Sequence, residues 1–135
     1  MKTFYVGIKG IILKDNKVLL LKTGHRDKGD FWEVPGGRIN DDETIEQALM
    51  REVKEEVPNI KSVVMHDVVD AYRVPRDIDG DKSLVLIFYK VSAEFDGEPS
   101  LSEEHVEWKW ANREEALTLV HESCTNAIAN AFVQD

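Results

Sequence analysis

Residues 35–59, PGGRINDDETIEQALMREVKEEVPN, decide how this chain reads. Ile45, Leu49 and Val53 recur at every fourth position with Ala48 beside them, which predicts an amphipathic helix with one buried stripe. Asp41 or Asp42 is placed to cap its start. Pro58 stops it, because proline disfavours helix in the residue before it. The last turn carries Glu52, Glu55 and Glu56. Carboxylates there face the negative end of the helix dipole. At three- and four-residue spacing they crowd one face and repel by about 0.2–0.5 kcal/mol per pair. Such a turn makes sense if the missing positive charge comes from outside, as a hard divalent cation that prefers oxygen ligands.

Outward from this helix the chain alternates strands and turns. Phe4 to Leu13 is β-rich, and Asp15-Asn16-Lys17 reads as a turn into Val18 to Leu21, giving a hairpin. Residues 23–31 form a polar loop, and Phe31 to Val34 a short strand that ends at Pro35-Gly36-Gly37. Val63 to Tyr72, Leu84 to Val91 and Glu107 to Ala111 read as further strands. Asn112, with Glu115 three residues on, predicts a capped helix through Leu119, and a last helix spans about Glu122 to Val133. The pattern predicts an α/β (α+β) fold, a mixed β-sheet with helices packed against it, as a single domain over residues 1–135.

Composition narrows the function classes. No apolar run approaches the roughly 20 residues that span a bilayer, and the N-terminus does not read as a signal peptide. The lone cysteine, Cys124, excludes an internal disulfide and points to a reducing, cytoplasmic location. A net charge of −9 argues against a nucleic-acid polymer or an anionic membrane as partner. A small anionic substrate stays open, since a bound metal inverts local charge.

Gly37, Glu43, Arg51, Glu52, Val53, Glu55 and Glu56, with their intervals of five, seven and one residues, resemble the Nudix box. The pattern departs only at its end, where Pro58 stands for the family's Gly and Asn59 for an apolar residue. The Pro35-Gly36-Gly37 lead-in and the order of elements are also similar to the family's α/β/α sandwich with a central catalytic helix. The resemblance implies hydrolysis of a phosphoanhydride in a nucleoside diphosphate linked to another group. Water attacks one phosphorus in line, and Mg²⁺, or Mn²⁺, stabilises charge on the oxygens. By resemblance Glu52 and Glu56 are ligands, with Glu55 and the Gly36 carbonyl as further ones, and Arg51 and Glu43 support them. Glu104, with Glu103 as substitute, is the candidate for the acid that many members supply from a late loop. Glu52 and Glu104 are the candidate bases. Since no proposed ligand lies at Pro58 or Asn59, their departure is expected to change local shape and not metal binding.

The chemistry fits these residue types. Glycines at 36 and 37 let backbone approach a metal with no Cβ in the way. Lys22, His25, Arg26, Lys28 and Arg38 form the basic cluster near the box, with Arg26 and Arg38 as candidate phosphate contacts. Phe31, Trp32 and Tyr72 offer faces for a nucleotide base, against the plainer reading of strand aromatics as core. Asp77 to Asp81 lacks the Gly and Glu of a calcium loop and reads as a hairpin turn. The four histidines show no metal spacing, and Cys124 reads as a small buried residue. The short chain is similar to MutT-like members acting on nucleoside triphosphates. Pro75 keeps ADP-ribose or a nucleotide sugar as an alternative, and a non-catalytic nucleotide sensor is a second. A monomer or homodimer is expected.

Overall fold

The structure, a computed structural model, describes residues 1–23, 31–102 and 105–133. Strands β1 (Phe4–Lys14) and β2 (Lys17–Thr23) form the expected hairpin, in register Lys14↔Lys17. Asp15 and Asn16 both adopt left-handed backbone, with φ of +52° and +63°. Their twist matches that of the flanking strands, and short polar side chains tolerate this conformation best after glycine. The next strands are β3 (Trp32–Glu33) and β4 (Gly36–Arg38), followed by helix α1 (Ile45–Glu56). Then come β5 (Ile60–Arg73), β6 (Ser83–Phe95), β7 (His105–Ala111), helix α2 (Arg113–Leu119), a 3-10 turn (Glu122–Cys124) and helix α3 (Thr125–Ala131).

The sheet is mixed. Its main path runs β3-β2-β1-β6-β5, with β4 also on β1 and β7 also on β2. β1 and β6 pair in parallel from Phe4↔Ser83 to Ile12↔Val91, and the other pairings are antiparallel. Because side chains alternate across a strand, β2 serves both faces. Leu19 and Leu21 join Ile8, Ile12 and the α1 residues Ala48, Leu49 and Val53 in one core. Val18 and Leu20 join Ile11, Phe88 and the α2–α3 residues Ala116, Ala127 and Ile128 in the other. Helices therefore cover both faces, and the α/β/α sandwich implied by the family resemblance is what the chain adopts.

Three local readings need correction. The cap of α1 is Thr44, not Asp41 or Asp42. Its hydroxyl accepts the Gln47 N–H, and the Gln47 side chain accepts the Thr44 N–H, a reciprocal capping box. Gly36–Arg38 is a strand bonded to β1, although glycine is a poor strand former. The terminal helix is broken into the 3-10 turn and α3. At the other end of α1 no left-handed residue is used. Val57 caps the helix with a negative φ of −130°, and its N–H donates to the Val53 carbonyl. Asn59 ties the following loop: its amide donates to the carbonyls of Asp96 and Glu98, and its oxygen accepts from Ser100. Pro58 and Asn59 thus build a different exit that leaves the acidic turn in place.

Candidate active site

The last turns of α1 pack against the Pro35-Gly36-Gly37 segment. The Gly36 N–H donates to Glu56 Oε1 at 2.9 Å. Next door, a Cβ added to Gly37 would land on the Glu52 carboxylate. Two successive glycines therefore each face one acid of the last turns of α1. Gly36 is required twice over. Its φ of +141° is a region that side-chain-bearing residues avoid, and a Cβ there would collide with the backbone carbonyl of Ile8. This close approach arises because β4 pairs directly with β1, Gly36 lying opposite Lys9.

Arg51 organises the rest of the acidic face. Its Nε and one terminal nitrogen grip both oxygens of Glu43 at 2.5 and 2.9 Å. The other terminal nitrogen donates to Glu52 at 2.7 Å and to Glu55 at 3.5 Å, and Arg51 also donates to the Arg38 carbonyl. This fork geometry is the specialty of guanidinium. The Arg51 hydrogen bond, aided by the Asn40 N–H, holds the Glu43 carboxyl down at about 2, and the hydrogen bonds to Glu43 and Glu52 raise the Arg51 pKa. Glu55 points outward and is 60% exposed, whereas Glu52 is mostly covered.

Glu56 differs in kind, being only 3% exposed. Burial pushes its carboxyl up to about 7, against the opposing pull of Lys9, the Gly36 N–H and His105. His105 Nε2 lies 2.8 Å from Glu33 Oε1 and 3.6 Å from Glu56 Oε2. Ligand atoms of Glu33, Glu56 and His105 all fall within 4.8 Å of one another. The sheet explains the meeting. β2 carries Glu33 opposite Leu21 on one side and His105 opposite Thr23 on the other. Neither Glu33 nor His105 is visible as a site residue in the sequence. Only the trailing Glu of the Trp32-Glu33 pair, three positions before Gly36, could have hinted at one.

From this cluster a cleft of about 500 Å³ opens, lined by Lys9, Glu33, Arg38 and Arg76 with Phe31 and Tyr72, among others. Of the substrate candidates, Arg38 and Tyr72 line it. Trp32 does not: it packs on the α2–α3 core, with Lys22 and Lys109 over its ring at 5.9 and 5.5 Å. Phe31 takes the aromatic place on that wall, its ring 5.0 Å from that of His121. Lys9 and Arg76 are basic residues that the sequence reading passed over. Arg26, with His25 and Lys28, and Glu104, with Glu103, lie outside the described residues. Ser102 and His105, which flank the acidic pair, both reach Glu56, Ser102 through its N–H to the Glu56 carbonyl. Asp77 to Asp81 is the hairpin turn expected, closed by Ile78 N–H to the Lys82 carbonyl. Cys124 is buried, which raises its thiol pKa.

The chain is similar to several known proteins. The nucleoside triphosphatase NudI of Enterobacter sp. (strain 638) is 33% identical over 118 residues, 80% of this chain and 82% of its own length. The ADP-ribose pyrophosphatase of Methanocaldococcus jannaschii is 42% identical over 62 residues, 44% of this chain. That match spans only 37% of the relative's length. The solved structure of the E. coli ORF135 protein superposes with a TM-score of 0.79 at 25% identity, covering 96% of this chain and 89% of that one. A family model described as NUDIX domain matches residues 4–130, and with the acids and glycines in these positions the chain belongs to the Nudix family.

Proposed function

We propose that this protein is a Mg²⁺-dependent nucleotide pyrophosphohydrolase whose substrate is a nucleoside triphosphate. One observation carries the reading: Glu56 and Glu52 are brought against the adjacent glycines 36 and 37, and Glu33, clustered with Glu56, lines a basic, aromatic-walled cleft. The donor set fits a hard cation, since carboxylate oxygens suit Mg²⁺ and Mn²⁺. The glycine cradle supports the same fit, because a Cβ at position 37 would occupy the space of the Glu52 carboxylate. Glu52 and Glu56 would hold the ion, with Glu55, the Gly36 carbonyl and Glu104 as further ligands. When bound, it neutralises phosphate oxygens and makes a water acidic enough to be deprotonated near neutral pH.

The chain's own groups would do the rest. Lys9, Arg38 and Arg76 orient the phosphates, and Phe31 and Tyr72 receive the base. Arg51 keeps Glu52 in place while Glu43 keeps Arg51 in place. A carboxylate, Glu52 or Glu104, takes the proton of the attacking water. The new bond joins water oxygen to phosphorus, the anhydride P–O bond breaks, and nucleoside monophosphate and pyrophosphate leave. The NudI relative, named as a nucleoside triphosphatase, supports this choice.

ADP-ribose is the second reading, because Pro75 lines the cleft and a relative is named for that substrate. A turnover panel of nucleoside triphosphates, oxidised purine triphosphates, ADP-ribose and nucleotide sugars, with and without Mg²⁺, tests both. The expected result is Mg²⁺-dependent release of pyrophosphate and monophosphate from a triphosphate. AMP and ribose 5-phosphate from ADP-ribose would favour the second reading. Binding with no turnover on any compound would make the protein a sensor.

A further inference from the structure

Resting on the metal-dependent reading above, we infer that His105 is a positioning residue, whose Nε2 holds Glu33 and Glu56 in the arrangement that receives the cation. The side chain is 7% exposed at the first position of β7, remote in sequence from both acids. Its Nε2 is within hydrogen-bond distance of Glu33 and within ion-pair distance of Glu56. The other oxygen of Glu56 accepts the Gly36 N–H, so that carboxyl is fixed from two sides. Backbone bonds lace the same segment to α1: His105 N–H donates to the Ser102 carbonyl, and Ser102 N–H to that of Glu56.

A histidine kept for packing alone would need neither acid, and an apolar residue would fill the same space at no polar cost. His105 instead carries a polar cost, because its Nδ1 is buried with no hydrogen-bond partner among the described residues. A buried, half-satisfied ring calls for an explanation, and the two carboxylates at Nε2 supply one. Without the imidazole between them, Glu33 and Glu56 would face each other with one fewer group to offset their repulsion. Groups that orient metal-binding carboxylates in this way commonly govern affinity by about 10–100-fold.

Mn²⁺ binding to the substrate-free full chain, followed by the loss of the free-ion paramagnetic resonance signal, tests the role without relying on turnover. His105→Gln keeps an N–H near the Nε2 position, and His105→Leu removes it. His105→Asn keeps polarity but stops short of Glu33. The expected result is Mn²⁺ affinity weakened tenfold or more in the Leu and Asn variants and within threefold of wild type in the Gln variant. Circular dichroism and Tm report folding alongside. If Leu proves too disruptive to fold, the Asn–Gln contrast decides alone. Wild-type affinity in folded Leu or Asn variants, with only Tm lowered, would overturn the inference while leaving the hydrolase reading intact. Ordered binding changes in a protein that turns over no nucleotide would overturn the hydrolase reading and leave His105 in its role. No Mn²⁺ binding by the wild type would overturn both.

Discussion

Gly36 and Gly37 are neighbours, yet alanine should fail at each for a different reason. At Gly36 the methyl group meets the Ile8 backbone in a conformation hostile to side chains. Gly36→Ala should therefore cost at least about 2 kcal/mol of stability, the scale of forced backbone strain, measured by urea unfolding. At Gly37 the methyl meets only the end of the Glu52 side chain, which can swing away. Gly37→Ala should keep its Tm within a few degrees and lose at least tenfold in kcat. Equal stability losses in the two variants would count against this geometry. Glu56→Gln removes a buried charge that burial already disfavours. It should leave the metal-free protein as stable as wild type or more so, and lower kcat by about two orders of magnitude or more, on the scale of losing a metal-held catalytic group. Near-normal turnover in the folded variant would end the proposed role of Glu56.

At the scale of the element, α1 owes its start to Thr44 and its working face to Arg51. Thr44→Ala should cost about 1 kcal/mol, the usual value of a lost cap. The Glu43–Arg51 fork gives a pH prediction. Glu43 has a pKa of about 2 in the fold against an ordinary 4.5, so the unfolded chain takes up the proton first. The stability this pair contributes is present above about pH 4.5 and is lost as pH falls through 2. Arg51→Gln should flatten that part of the stability curve, as read by denaturant melts at a series of pH values. An unchanged acid limb would show that the fork contributes nothing. The sequence made α1 and its acidic turn legible because the apolar period and the Nudix spacing are local. The cap was misplaced because three acids crowd the same start as Thr44. β4 was missed because Gly-Gly-Arg has no strand propensity and is held only by its pairing with β1.

Across the whole molecule, the site depends on pairings that no local pattern encodes. Lys9 reaches the cluster because β1 lies beside β4, while Glu33 and His105 arrive from the two strands that flank β2. Long-range register, not spacing, therefore sets the part of the site that the sequence hid. Trp32 was a reasonable base-stacking candidate, but strand alternation turns it to the α2–α3 core and leaves Phe31 on the cleft wall. No helix among the described residues is long and apolar enough to cross a membrane. Because a ligand that binds only the folded state must stabilise it, Mg²⁺ should raise Tm in wild type and much less in Glu52→Gln. The central claim is that the acids ending α1 hold a divalent cation against a nucleotide diphosphate. Calorimetric titration of Mg²⁺ into the protein bearing a non-hydrolysable triphosphate analogue tests it most directly. The account predicts saturable binding that Glu56→Gln weakens at least tenfold, and identical Mg²⁺ affinity in wild type and Glu56→Gln would contradict it.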